Sequence, residues 1–220
     1  LMHKGYAIIS ADYTLASRGH SSFPNCIIDV FDVIKWVEDH ASEYGFDIHN
    51  VGLMGESSGA HISMMAAYAP VEDFSLETQS QIHLKYLVDI YGPTQLDSLY
   101  HAQRPDSLLS IVEKMPSGIK DYFTEQIFGF DPEEDSLRTH KFMYQYSPLV
   151  YVSKAAPPTL IIHGQLDKIC TVMQSEMLHA KMDDLDIEHE YHVIENMHHA
   201  FNGASPEQKA QAQTWIVDFI

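Results

Sequence analysis

The segment 55–59, Gly-Glu-Ser-Ser-Gly, places a serine at position 57 between two glycines. A serine hydroxyl is a weak nucleophile unless a base accepts its proton and a carboxylate orients that base. The pattern Gly-x-Ser-x-Gly is typical of a sharp turn from a strand into a helix, which lifts the hydroxyl above the edge of a sheet. We therefore expect Ser57 to be a nucleophile and the backbone N–H of Ser58 to stabilise the oxyanion that its attack creates.

The sequence around this motif favours the nucleophile turn over an ordinary Gly/Ser turn between core elements. Residues 50–54 predict a short buried strand, and residues 60–69 predict a nearly all-apolar helix. Both flanking glycines have a steric explanation, because the tight turn brings backbone segments close together. We expect a side chain at either Gly55 or Gly59 to collide with that backbone.

Two further residues supply a carboxylate and a base in the chain order that such a site requires, serine, then acid, then histidine. Asp167 follows an apolar run, and His199 follows a second run that ends near residue 194. His198 is the alternative base. Glu195 is the alternative acid, less favoured because it lies beside the base in sequence.

The remaining histidines, among them His61 and His163, are expected to be packed or solvated. No pair of them has convincing metal-ligand spacing beside a carboxylate, so the sequence predicts no metal site. No cofactor is expected.

Apolar runs that alternate with helical periodicity predict an α/β fold, with a mostly parallel sheet covered by helices on both faces. Asn25 is the predicted cap of the first helix. Strands are predicted at residues 6–12, 50–54, 83–91, 160–163 and 187–194, and helices at residues 25–45, 60–69, 173–182 and 206–220.

The section from Thr94 to Ala156 interrupts this alternation and is rich in aromatic residues. An insertion of this length predicts a helical cap on a core formed by residues 1–93 and 157–220. Phe123 and Phe128 lie on one predicted helical face and are the candidates for substrate binding. Packing of that face on the sheet is the equal alternative.

Composition excludes several classes of partner. The 220 residues carry a formal net charge of -18, which argues against nucleic acid and anionic membrane surfaces. No apolar run approaches transmembrane length. The two cysteines, Cys26 and Cys170, form no CxxC pair or framework, so a reducing compartment and a cytoplasmic location are expected.

Taken together, these motifs make the chain resemble an α/β-hydrolase of the microbial carboxylesterase group that includes hormone-sensitive-lipase-like and acetylxylan/feruloyl-type esterases. The resemblance implies a serine carboxylesterase with Ser57, Asp167 and His199 as its triad, acting on short acyl esters such as acetyl, on a carbohydrate or phenolic alcohol. Aligning Phe201 with the family's Gly-His-Gly-Phe favours His199 as the base. The matching segments are residues 12–15, 55–60, 91–94, 156–167 and 199–201.

Two other activities stay open: amide hydrolysis, as in an arylformamidase or a small peptidase, and non-catalytic binding on the same fold. The expected partner is a small-molecule ester. The resembling fold takes a second oxyanion donor from a His-Gly-Gly-type loop, and no such loop precedes Tyr6. We therefore expect an N-terminally truncated chain that lacks roughly 50 to 70 upstream residues. An open slot in its sheet would favour homo-oligomers.

Overall fold

The computed structural model describes residues 1–17, 19–74, 76, 79–100, 114 and 127–220. Within these residues, four parallel strands form a sheet in which spatial order follows chain order. All four carboxyl ends therefore lie along the same edge, where ligands of open α/β sheets bind. The strands are β1 (Gly52–Glu56), β2 (Tyr86–Ile90), β3 (Thr159–Gly164) and β4 (His189–Ile194).

Helices connect the strands and flank the sheet. No helix in the described ranges combines the length and apolar character needed to cross a bilayer. The helices are α1 (Asn25–Asp39), α2 (Ala41–Tyr44), α3 (Ser58–Tyr68), α4 (Leu96–Tyr100), α5 (Ser136–Gln145), α6 (Pro148–Tyr151), α7 (Met173–Leu185) and α8 (Pro206–Phe219).

The two faces of the sheet bury different residues, as the period of two in a strand requires. Leu87 and Ile161 face α3 and α7 and belong to a cluster with Met64 and Leu178. Their neighbours in sequence, Val88, Leu160 and Ile162, face the other way, toward α8. They form a cluster with Ile90, Tyr91, Ile194, Met197 and Ala212. Helices thus cover both faces, as predicted.

The predicted strand at residues 6–12 is wrong. These residues form no strand, and Ile8 and Ile9 are 57% and 42% exposed. A strand requires a neighbour to pair its backbone N–H and C=O groups. A cavity of about 290 Å³ lies between this segment and β1, lined on the two sides by Tyr6 and Leu53 among others. Apolar character alone therefore did not place the segment in the sheet.

The predicted cap at Asn25 is also wrong, because Asn25 is the first residue of α1 and Pro24 occupies the N-cap position without a side-chain hydrogen bond. Farther along, α5 packs against α4. Its neighbour Tyr146 shares one hydrophobic cluster with Ile27 and Met65. The division of the chain into a core and a cap at residues 94–156 stays a prediction.

Asp89 is a carboxyl group buried within the sheet. Its side chain is fully buried on β2, and its Oδ1 accepts a hydrogen bond of 2.8 Å from the N–H of Gly92. Its Oδ2 has no hydrogen-bond partner among the described residues. Burial raises the pKa of Asp89 to about 7, although nearby His163 and the Gly92 N–H act in the opposite direction. The protonated form is therefore favoured in the folded protein below about pH 7.

Replacing Asp89 with asparagine is expected to stabilise the fold more at high pH than at low pH. Because the folded-state pKa exceeds the unfolded-state value of about 4, the parent loses stability as pH rises from about 4 to about 7. Asparagine does not ionise, so the advantage of the variant should grow across this window by up to a few kcal/mol and then level off. Urea unfolding at pH 4.5 and pH 8 measures it.

The matched control is Asp12→Asn, which changes an exposed aspartate and should show no such growth. An Asp89→Asn advantage of the same size at both pH values would contradict a protonated, buried carboxyl group.

Candidate active site

Ser57 occupies the turn between β1 and α3. Its backbone has φ 52° and ψ -119°, a conformation that non-glycine residues rarely adopt. Its N–H donates a hydrogen bond of 2.9 Å to the carbonyl of Ile90, at the carboxyl end of β2. This bond holds the turn against the sheet, so the Ser57 hydroxyl stands at the shared carboxyl edge of the strands.

The two glycines of the motif have different roles. A Cβ at Gly55 would lie 2.3 Å from the carbonyl carbon and oxygen of Gly59, a distance that real structures do not tolerate. A Cβ at Gly59 would meet no atom within 4 Å. The predicted collision is thus confirmed at Gly55 and wrong at Gly59. The backbones of residues 55 and 59 can approach closely because residue 55 has no Cβ, and the Cβ position of residue 59 plays no part in this contact.

Gly55→Ala is therefore expected to lower the free energy of unfolding by about 1–3 kcal/mol or more. This is the usual cost of forcing extra atoms into packed space. Gly59→Ala should cost much less and can even stabilise α3, because alanine is the better helix former. Chemical unfolding of both variants tests this difference. Equal destabilisation by the two substitutions would contradict the geometry of the turn.

The structure brings Ser57, His199 and Asp167 together in one line of hydrogen bonds. Ser57 Oγ lies 2.9 Å from His199 Nε2, and His199 Nδ1 lies 2.7 Å from Asp167 Oδ2. With the proton of the neutral ring on Nδ1, that nitrogen donates to the carboxylate and Nε2 accepts from the serine hydroxyl. This tautomer is the one that can remove a proton from Ser57.

Two loops position the acid and the base, and they are joined through their backbones. The N–H groups of Gln165 and Leu166 donate to the carbonyls of Ile194 and Met197, at 3.0 and 2.9 Å. A Cβ at Gly164 would lie 2.5 Å from the Met197 carbonyl oxygen, so this close approach requires glycine. The loop after β3 and the loop after β4 therefore form one unit that fixes the acid relative to the base.

Asp167 is held as a carboxylate. Burial by itself would raise its pKa, but hydrogen bonds from His163 and His199 outweigh burial and lower the pKa to about 2. The N–H groups of Ile169 and Cys170 each donate to Asp167 Oδ1 at 2.9 Å. Asp167 therefore stays charged near neutral pH, where it can stabilise a protonated His199.

His163 supports this arrangement, a role that was not predicted from the sequence. Its fully buried ring lies with Nε2 2.7 Å from the carbonyl of Cys170 and 3.5 Å from Asp167 Oδ2. Its Nδ1 lies 2.6 Å from the hydroxyl of Ser175. The sequence signal that could have identified this role is the position of His163 at the end of a strand, four residues before the acid.

Tyr91 and Glu56 form a second contact that the sequence did not reveal. The Tyr91 hydroxyl donates to a carboxylate oxygen of Glu56, the residue before the serine. The Tyr91 ring packs edge-on against the ring of His199, with centroids 4.9 Å apart. It also packs edge-on against Phe201. This aromatic contact restricts the orientation of the His199 ring.

The two alternative partners lie elsewhere. His198 and Glu195 are exposed, and it is the ring of His199 that reaches Ser57. His61 is buried as expected, with Nδ1 2.9 Å from the carbonyl of Pro93. Burial lowers the pKa of His61 to about 4, so the ring is neutral at physiological pH.

A cavity of about 360 Å³ opens beside Ser57 and is lined mainly by apolar atoms. Its volume is within the range of small-molecule sites. Its walls come from the loop before α1, from α3 and α4, from the segment before α5 and from the loop after β3. They include Tyr13, Leu15, Phe23, His61, Ile62, Leu96, Leu99, Ile127 and Ile169.

One of the two predicted substrate-binding aromatics falls within the described residues. Phe123 lies outside the described residues. Phe128 is buried among Tyr100, Phe130 and Phe142, and it lines a separate cavity of about 470 Å³. A role of Phe128 in substrate binding stays a prediction, whereas its neighbour Ile127 lines the cavity beside Ser57.

Ser58 is the first residue of α3, so its N–H has no acceptor one turn earlier in the helix. Its side-chain hydroxyl lies 3.3 Å from that of Tyr13. This placement leaves the Ser58 N–H available to an oxyanion beside Ser57.

Both cysteines are free and buried.

Comparisons with known proteins agree with this architecture. "Probable carboxylic ester hydrolase LipM" of Mycobacterium tuberculosis is 27% identical over 178 residues, which cover 80% of this chain and 37% of LipM. "Esterase LipQ" of the same organism is 24% identical over 227 residues, covering the whole chain and 48% of LipQ. The chain thus spans half or less of the length of these two relatives.

A solved structure of an acetyl ester-xyloside bifunctional hydrolase from Caldicellulosiruptor lactoaceticus superposes with a TM-score of 0.65 at 17% identity, covering 90% of this chain and 68% of that one. This likeness shows the fold. The BD-FAE family model matches residues 1–182. The chain belongs to the BD-FAE family and has the α/β-hydrolase fold.

Proposed function

We propose that the chain carries the catalytic centre of a serine carboxylesterase that cleaves short-chain carboxylic esters through an acyl-enzyme. The observation that carries this proposal is the line of hydrogen bonds from Ser57 through His199 to Asp167, with contacts of 2.9 and 2.7 Å. The names of the relatives, a carboxylic ester hydrolase and an esterase, support the same class of reaction.

In the acylation step, Ser57 Oγ attacks the ester carbonyl carbon and its proton passes to His199 Nε2. The tetrahedral intermediate collapses when the alcohol leaves with that proton, and the acyl group stays on Ser57. Water then attacks the acyl carbon while His199 accepts its proton. The bond from the acyl carbon to Ser57 Oγ breaks, His199 returns the proton to Oγ, and the carboxylic acid leaves. The charge of Asp167 stabilises the imidazolium that forms in both steps.

The oxyanion of the intermediate needs preorganised donors. The N–H of Ser58 is the proposed one, because α3 begins at this residue and leaves the group without a helical acceptor. The positive end of the helix macrodipole adds to the stabilisation of a negative charge at this position.

Short acyl groups suit the cavity beside Ser57. Its volume of about 360 Å³ and apolar walls accommodate an acetyl group or a somewhat longer acyl chain together with part of an alcohol. Leu96, Leu99 and Ile127 come from the segment 94–156, so this segment is proposed to influence substrate choice. A carbohydrate or phenolic alcohol remains the proposed leaving group.

A substrate panel tests the proposal against the two alternatives. Aryl acetate, butyrate and octanoate esters are compared with an N-formyl aryl amide and a peptidyl amide. The proposal expects hydrolysis of acetate and butyrate to exceed that of octanoate and of both amides. Faster amide hydrolysis would favour an amidase, and the absence of any turnover would favour a binding protein.

A further inference from the structure

Three potential metal ligands lie close together at the amino edge of the sheet, opposite to the edge that carries Ser57. His179 and Asp183 stand one turn apart on α7, and His189 is the first residue of β4. Each offers one ligand atom, and these atoms all lie within 4.8 Å of one another. The sequence alone does not reveal this cluster, because only the fold brings the second histidine to the His179–Asp183 pair.

The distances are close to those of a metal site. His179 Nδ1 lies 2.7 Å from His189 Nε2, and the Asp183 carboxylate lies 3.5 Å from His179 Nε2 and 3.6 Å from His189 Nε2. Tetrahedral zinc with bonds of about 2.0–2.2 Å separates neighbouring ligand atoms by roughly 3.3 Å. The side chain of His179 is 38% exposed. Its ring also packs against Tyr191, with centroids 4.7 Å apart, and binding an ion requires it to turn so that one nitrogen faces the other two ligands.

The ring of His189 is already oriented for binding. Its Nδ1 lies 2.7 Å from the carbonyl of Ile187, so this nitrogen carries the proton and donates it. The lone pair is then on Nε2, which faces His179 and Asp183. A backbone carbonyl that fixes the tautomer in this way is the usual partner of a metal-bound histidine.

Negative charge surrounds the cluster. Asp184 is exposed in the last turn of α7, and Asp186 and Glu188 are exposed in the turn between α7 and β4. The whole chain has a formal net charge of -18. Such a field raises the local concentration of cations.

We propose that His179, Asp183 and His189 bind a divalent transition metal ion, with zinc as the best match and water as the fourth ligand. Two imidazoles and a carboxylate form a donor set that suits zinc. The ion joins the last turns of α7 to the start of β4 across the turn at Asp186. It therefore stabilises this part of the fold and takes no part in the chemistry at Ser57.

Calorimetric titration of chelator-treated protein with Zn²⁺ tests the proposal. The parent should bind one ion at this cluster, and His189→Ala should weaken that binding by at least about a hundredfold. Loss of a residue that only supports a ligand lowers metal affinity by about 10- to 100-fold, and loss of a ligand itself should lower it by at least as much. Asp183→Asn changes a side chain that is 63% exposed, so it tests the site without threatening the fold. It should also weaken binding strongly.

Two controls identify the site. His140→Ala removes an exposed histidine that also lies beside an aspartate, Asp97 at 3.5 Å, and it should bind zinc as the parent does. His199→Ala detects any zinc bound near Ser57 and should leave the proposed site intact. Zinc should raise the melting temperature of the parent, His140→Ala and His199→Ala by several degrees, but not that of Asp183→Asn.

The proposal is overturned if the parent binds no zinc, or if its affinity and melting shift are unchanged in both His189→Ala and Asp183→Asn. Binding that is lost only in His199→Ala would also overturn it. In these cases the histidine pair is an ordinary hydrogen bond between two imidazoles.

Discussion

Replacing Ser57 with alanine is expected to reduce the hydrolysis of a small activated acetyl ester by about ten-thousandfold or more. The substitution removes the atom that attacks the carbonyl and accepts the acyl group. The Ser58 N–H and the cavity remain, so the only rate acceleration left is the part that comes from oxyanion stabilisation and substrate binding. The fold should stay stable, because within the described residues the Ser57 side chain hydrogen-bonds only to His199.

Ser58→Ala is the matched control for this prediction. It removes a neighbouring hydroxyl but keeps the backbone N–H proposed for the oxyanion, so its activity should stay within a few-fold of the parent. Measurement of kcat/KM together with thermal unfolding separates loss of chemistry from loss of structure. Ser57→Ala activity within tenfold of the parent would refute the assigned nucleophile.

His199→Ala is expected to match the loss in Ser57→Ala, whereas His198→Ala should be far milder. The reason is geometric, since His199 Nε2 lies 2.9 Å from Ser57 Oγ and His198 is exposed. Residues that act as one unit do not contribute additively. The double variant Ser57→Ala/His199→Ala should therefore be no slower than either single variant.

Steady-state rates of the three single variants and the double variant test this. If His198→Ala proves inactive and His199→Ala active, the alignment through Phe201 is displaced by one residue. If the two losses multiply in the double variant, Ser57 and His199 act independently and the proposed proton transfer is wrong.

The sheet and its helices could be predicted because their signals are local. The run around Leu160 and Ile162 is apolar on both faces, as a central parallel strand requires. Residues 6–12 carry the same signal yet form no strand. Pairing depends on a neighbouring strand, which is not a property of the segment itself.

The line from Ser57 to Asp167 was predictable for another reason. Chain order and strand ends restrict where the partners of the serine can lie, so Asp167 and His199 could be chosen in advance. The contacts that support Asp167 and His199 could not be predicted from the sequence. His163 contacts Asp167 through side-chain geometry at the end of β3, and the three-residue cluster at His189 joins two elements whose packing the sequence does not specify.

The sterics of the serine turn were predictable only in part. Glycine at position 55 is required by the backbone of residue 59, whereas position 59 faces open space. The sequence motif does not distinguish the two glycines. They differ in what a Cβ at each position would contact, which depends on the folded backbone.

Labelling with a fluorophosphonate probe tests the central claim most directly, because such a probe reacts with a serine whose hydroxyl is activated, whatever the natural substrate. We expect one covalent adduct on the folded protein, which peptide mapping places at Ser57. Labelling should disappear in Ser57→Ala and in His199→Ala and persist in Ser58→Ala and His198→Ala. An adduct at another residue, or a folded parent that remains unlabelled, would contradict the assignment of Ser57 as an activated nucleophile.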